Sequence, residues 1–144
     1  MKPKKIITEV CAFCLVFLFV YTATAKLLRI QLFRYRLDTY PWIRHIGGLI
    51  VWGLPLLELT IAALLISGRK RLMGFYAAFG LMVILTVYLA LMLGTQQHLP
   101  CSCGGAIEGL TWRQHVLFNL FFLALAGLGI KLVHSLKFSS PLKL

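Results

Sequence analysis

Cys101 and Cys103 stand two residues apart, with Pro100 before them and Gly104-Gly105 after them. Two thiols at this spacing can close a small strained disulfide, and strain makes a disulfide easier to reduce. Such a pair suits reversible exchange better than permanent stapling. Proline and paired glycines fit a tight turn that exposes the sulfurs. Two other readings stay open at this point. One is an inert loop disulfide or a pair of free thiols. The other is a metal site, with His98 and His115 adding imidazole nitrogen to two thiolates, a donor set that suits zinc or copper(I). The spacing matches no standard zinc pattern.

A second pair, Cys11-Ala12-Phe13-Cys14, has the C-x-x-C redox spacing. It lies inside an apolar run, however, and cysteine is a common buried small hydrophobe, so packing is the favoured reading. Glu58 is the most expensive residue in the chain, because it too lies within an apolar run. A carboxyl inside a membrane is a functional candidate by default. It can take part in proton transfer, or pair with Lys26 or an arginine at its level. Pro55, three residues earlier, frees the carbonyl of Val51 and is expected to kink the helix. Downstream of the cysteine loop, His115 and Asn119 are i and i+4 and share a helix face. Thr111 can cap that helix. Trp112 is a candidate interfacial anchor. A histidine near a thiol can lower its pKa or shuttle a proton, although it can equally well satisfy a loop carbonyl.

The elements that must position these residues follow from composition. The 144 residues are 60% hydrophobic and 13% charged, where a soluble domain is about half apolar and a quarter charged. That excess needs lipid as solvent. Four apolar runs, at about 6–28, 46–67, 72–94 and 115–134, are each near the roughly 20 residues that cross a bilayer core. Backbone groups in lipid must be satisfied internally, so the runs are helices. The expected fold is all-α: one integral membrane domain over 1–144, a bundle of four transmembrane helices. The first run resembles a signal peptide, with Lys2, Lys4 and Lys5 before it and Ala23-Thr24-Ala25 near its end; it is read as an uncleaved first helix. Between the first two runs, Leu32, Phe33, Leu37 and Tyr40 interleave with Arg29, Arg34 and Arg36, the pattern of a short amphipathic interfacial helix.

The net charge of +11 would point to nucleic acid in a soluble protein. Here the basic residues cluster at the ends of apolar runs, where they meet lipid headgroups and set topology, so no nucleic-acid partner is expected. Lys2, Lys4, Lys5, Arg69, Lys70, Arg71, Lys131, Lys137 and Lys143 share one side. Lys26, Arg29, Arg34, Arg36, Arg44 and Arg113 share the other. The excess favours cytoplasmic termini and places the cysteine loop on the oxidising face, while the basic first loop leaves the reversed topology open.

Four segments in order resemble the MauE/DoxX-type redox-associated membrane proteins. They are Thr24-Ala25-Lys26-Leu27, Leu54-Pro55-Leu56-Leu57-Glu58, Cys101-Ser102-Cys103-Gly104-Gly105, and Trp112-Arg113-Gln114-His115 with Asn119. The resemblance covers nearly the whole chain. It implies a four-helix protein of the bacterial inner membrane that supports disulfide formation or thiol supply in the periplasm. Cys101, Cys103, Glu58 and His115 are then the expected catalytic groups. Lys26, Pro55, Gly104, Gly105, Trp112 and Asn119 are the expected supporting ones. The expected partner is a periplasmic thioredoxin-like protein or a disulfide-containing client. No cofactor motif is present; a membrane quinone is a chemically reasonable electron acceptor that no motif marks. Two alternatives remain: a non-catalytic subunit that anchors or assembles an envelope complex, and a metal or small-molecule carrier.

Overall fold

The computed structural model describes residues 3–38, 41–95 and 112–139. Cys101, Cys103, Gly104, Gly105, His98 and Thr111 lie outside the described residues. Within them the chain forms α1 (Pro3–Leu28), α2 (Ile30–Asp38), α3 (Gly47–Ile66), α4 (Arg71–Thr95) and α5 (Trp112–Phe138), with one 3-10 turn over Arg44–Ile46 before α3. Four of these segments are long and apolar enough to cross a membrane. The all-α expectation is met; α1, α4 and α5 extend their apolar runs, while α3 falls one residue short of its run at each end. The fourth begins three residues before the run and ends four after it. Polar residues such as Arg113, Gln114, Ser135 and Lys137 occupy its outer turns, because a helix does not unwind where lipid ends.

The four long helices form a closed ring. α1 packs on α3, α3 on α4, α4 on α5, and α5 back on α1. The short turn between α3 and α4 makes them antiparallel. Polar ties fix one end of the bundle: Lys4 Nζ donates to Ser135 Oγ at 2.9 Å, and Arg71 pairs with Glu9 at 2.6 Å. This first end thus holds the starts of α1 and α4 and the finish of α5. The second end holds the finishes of α1 and α4 and the starts of α3 and α5. α4 finishes and α5 starts at this second end, and the Cys-Ser-Cys motif falls between them in the sequence.

The core is a continuous apolar cluster through Cys11, Leu15, Phe19, Ile61, Leu65, Phe75, Ala78, Met82 and Ala126. Large apolar side chains also cover the outside, among them Phe13, Phe17, Trp52, Leu56, Ile84, Leu91, Leu117 and Phe121. An apolar exterior of this extent is what a lipid solvent permits and water does not. Two glycines mark close helix packing near the first end. A Cβ on Gly74 would sit 2.8 Å from the backbone nitrogen of Leu65, and one on Gly129 would meet the ring of Phe75. These glycines let α3 and α5 approach α4.

α2 almost continues α1, through backbone bonds from Arg29 to Ala25 (3.2 Å) and from Phe33 to Arg29 (3.0 Å). Its buried residues, Phe33 and Leu37, pack with Val51 of α3. The amphipathic segment therefore covers the side of α3 near the second end. α3 passes through Pro55 without losing its helical course.

Candidate functional site

The site is built where the second halves of α1 and α4 meet the first halves of α3 and α5. Lys26, two residues before the end of α1, reaches α3 and donates through Nζ to Glu58 Oε1 at 2.5 Å. Both side chains are withdrawn from the surface, with 4% and 2% of their area exposed. Among the partners that the sequence allowed Glu58, Lys26 is the one the geometry selects. The arginines of α2 lie beyond the end of α1. Taking two charges out of water costs several kcal/mol per ion, of order, and only close geometry with further hydrogen bonds repays it.

Those further bonds are incomplete. Glu58 Oε2 is buried and finds no hydrogen-bond partner among the described residues. Glu58 also lines a small cavity of about 30 Å³, together with Thr22, His115, Asn119 and apolar neighbours from α1, α4 and α5. Thr22 stands one turn before Lys26 on α1; its hydroxyl donates to the carbonyl of Phe19 at 3.3 Å and also lies within reach of the Glu58 carboxyl. His115 and Asn119 come from the first two turns of α5 and are both buried. Their i, i+4 spacing puts both at the same cavity, as the sequence predicts. The space exceeds the roughly 10–15 Å³ that one water needs, and the walls supply several polar partners. An orphaned carboxylate oxygen beside such a space is a place to hold a water or to pass a proton.

Lys26 has a second face. It also lines a cavity of about 430 Å³ between α2, α3 and α4, whose other walls include Phe33, Gly53, Leu57, Leu85 and Tyr88. The ion pair thus stands between a polar pocket inside the bundle and an apolar one at its lipid-facing side. Thr22 and this apolar pocket are the parts that the sequence reading missed. The i, i+4 relation of Thr22 to Lys26 was a visible signal. The pocket had none, because it arises from how α2 leans on α3.

Of the predicted site residues, Lys26, Glu58, His115 and Asn119 come together. Pro55 is buried one turn before Glu58 on α3, and the backbone of Trp112 begins α5. Cys101, Cys103, Gly104 and Gly105 lie outside the described residues. Cys11 and Cys14 are free thiols; Cys11 belongs to the apolar core. Cys14 is twelve residues from Lys26 along α1, about 18 Å at 1.5 Å per residue. No group of three or more His, Cys, Asp or Glu side chains that could hold a metal occurs among the described residues.

No curated protein and no solved structure matches this chain. A family match does cover residues 4–132, nearly all of the bundle and the cysteine segment, under the description methylamine utilisation protein MauE. The sequence segments around Lys26, Glu58, Cys101-Ser102-Cys103 and His115 all fall inside that match, and the chain is a multi-pass membrane protein of the MauE family.

Proposed function

We propose that this protein is a thiol–disulfide redox protein of a bacterial inner membrane, with both termini cytoplasmic and the Cys101/Cys103 loop in the periplasm. The observation that carries the reading is the buried Lys26–Glu58 pair. It shares its cavity with His115 and Asn119 at the end of the bundle where the cysteine segment connects. A structural ion pair alone does not need an orphaned oxygen, a histidine and space for water beside it.

In the oxidising direction, a thiolate of a thioredoxin-like partner or client attacks the Cys101–Cys103 disulfide. That S–S bond breaks and a mixed disulfide forms. A second partner thiolate attacks the mixed disulfide and leaves as the partner's disulfide, while the loop departs as dithiol. Two protons pass from the partner's thiols to the loop's. His115 serves the proton transfer nearest the loop, and the Glu58 carboxylate, held by Lys26, is the reserve behind it. The reverse sequence supplies reducing equivalents.

The test is the redox state of Cys101 and Cys103 in cells, read with a thiol-alkylating mass tag. The expected result is a shift between dithiol and disulfide as the envelope is reduced or oxidised. A mixed disulfide should be trapped when the resolving cysteine is changed to serine. If both cysteines stay in one state and Cys103→Ser changes nothing, the redox reading is lost. A stoichiometric partner that still co-purifies after loss of both loop cysteines would instead mark an assembly subunit.

A further inference from the structure

We propose that the apolar pocket beside Lys26 is the binding site of a membrane quinone. The proposal rests on the thiol-redox reading and supplies what it leaves open, an acceptor for two electrons.

Three features point to this occupant. The volume, about 430 Å³, is in the usual range of small-molecule pockets of roughly 300–1,000 Å³. Its walls are almost entirely apolar, and Leu49, Leu57 and Ile84 around it are exposed on the outer surface of the bundle. Entry is therefore from lipid, which selects a ligand already dissolved there. Lys26, buried at 4% exposure, is the one charged residue in its lining. Lys26 Nζ gives one bond to Glu58 and has three donors in all. An acceptor oxygen on an apolar body satisfies both Lys26 and the walls.

A quinone carbonyl and a lipid ester both offer such an oxygen. The groups behind Lys26 separate them. A lipid needs only a donor and apolar walls. Reducing a quinone also consumes two protons, and behind the ammonium lie Glu58, a cavity large enough for water, and His115. The balanced reaction is dithiol plus quinone giving disulfide plus quinol. Two S–H bonds break, one S–S bond forms, and two O–H bonds form. Lys26 orients the carbonyl, and Glu58 stands where a proton for it can be held.

Gly53 provides the test. It lines the pocket, and a Cβ there would meet nothing within 4 Å. Gly53→Phe therefore adds bulk at the pocket wall from a position where a Cβ meets no neighbour. Ile84→Trp narrows the same space from α4 and serves if the first variant does not fold. Phe121→Leu, on the outer face of α5, is the control. The purified full-length protein in lipid nanodiscs is titrated with decylubiquinone and, separately, with menadione. Saturable binding of either is expected, weakened about tenfold or more by a pocket-filling variant and unchanged in the control. Binding that never saturates, or that survives both pocket variants, overturns the proposal. So does displacement of the quinone by phosphatidylglycerol at equal mole fraction, which would make the pocket a lipid site. No cysteine is read in this assay. Failure of the thiol reading shows in the mass-tag experiment, and failure of the quinone reading shows here.

Discussion

Two of the bundle's cation–carboxylate pairs, one near each end, sit in opposite environments. Arg71–Glu9 at the first end joins side chains that are 21% and 51% exposed, at 2.6 Å. Lys26–Glu58 joins side chains that are 4% and 2% exposed, at 2.5 Å. Bond length does not distinguish them; burial does. An exposed pair is screened and contributes about 0–1 kcal/mol. A buried pair forfeits hydration, and replacing it by well-packed apolar residues is often neutral or stabilising. The first pair belongs to a rim of basic residues such as Lys5, Arg69 and Lys137. The second persists where hydrocarbon would serve stability as well, and it carries an unpartnered oxygen. The difference fits tethering at one end and, on the proposed reading, chemistry at the other.

Breaking the two pairs should give the largest contrast. Lys26→Ala or Glu58→Ala leaves a lone buried charge and should cost about 3–5 kcal/mol. Glu9→Ala, which unpairs Arg71 at a wet rim, should cost about 1 kcal/mol or less. Unfolding by steric trapping in lipid bicelles measures both. The double variant Lys26→Met with Glu58→Leu should recover most of the loss, because neither charge is then left alone. If the double variant is as unstable as the single ones, the pair holds the fold together rather than serving chemistry.

Glycine substitutions sharpen the same contrast through packing. Gly74→Ala drives a Cβ against the backbone of Leu65 near the first end. Overpacking of this kind should cost about 1–3 kcal/mol. Gly53→Ala near the second end meets open space. It should be neutral or stabilising by up to about 1 kcal/mol, since alanine is the better helix former. Thermal melts in one detergent compare the two directly. A similar loss at both positions would mean that the two ends pack alike.

Much of this arrangement is written in the sequence, and the omissions have physical causes. Hydrophobic run length specifies the helices, because lipid leaves the backbone no other way to bond. Glu58 announces itself by cost, and His115 with Asn119 by helical spacing. The choice of Lys26 over nearby arginines needs the crossing of α1 and α3, which no local pattern encodes. The two roles of Lys26 are likewise tertiary: one wall comes from α2 leaning on α3, the other from α5 closing the ring. Tyr76 and His134 were illegible for the same reason, being 58 residues apart and joined at 2.9 Å only once α4 and α5 pack.

That last contact sets up the mildest comparison, between two histidines on one helix. His134 is exposed and hydrogen-bonded to the Tyr76 hydroxyl near the first end. Its ring is edge-on to the tyrosine ring, with centroids 6.1 Å apart. His115 is buried at the polar cavity. His134→Ala should cost about 0.5–1 kcal/mol in stability, the worth of one exposed hydrogen bond, and leave thiol exchange untouched. His115→Ala should slow exchange of the Cys101/Cys103 loop by at least about tenfold, toward the low side of what a positioned proton-transfer group contributes. Stopped-flow exchange with a thioredoxin-like partner reads the rate, and the pH profile separates proton transfer from mere packing. His115→Gln keeps a polar side chain at the cavity but cannot titrate near neutral pH. If it restores the rate, His115 only fills space, and the second end loses its proton-transfer role. If it restores stability without the rate, the two ends differ in chemistry as well as in burial.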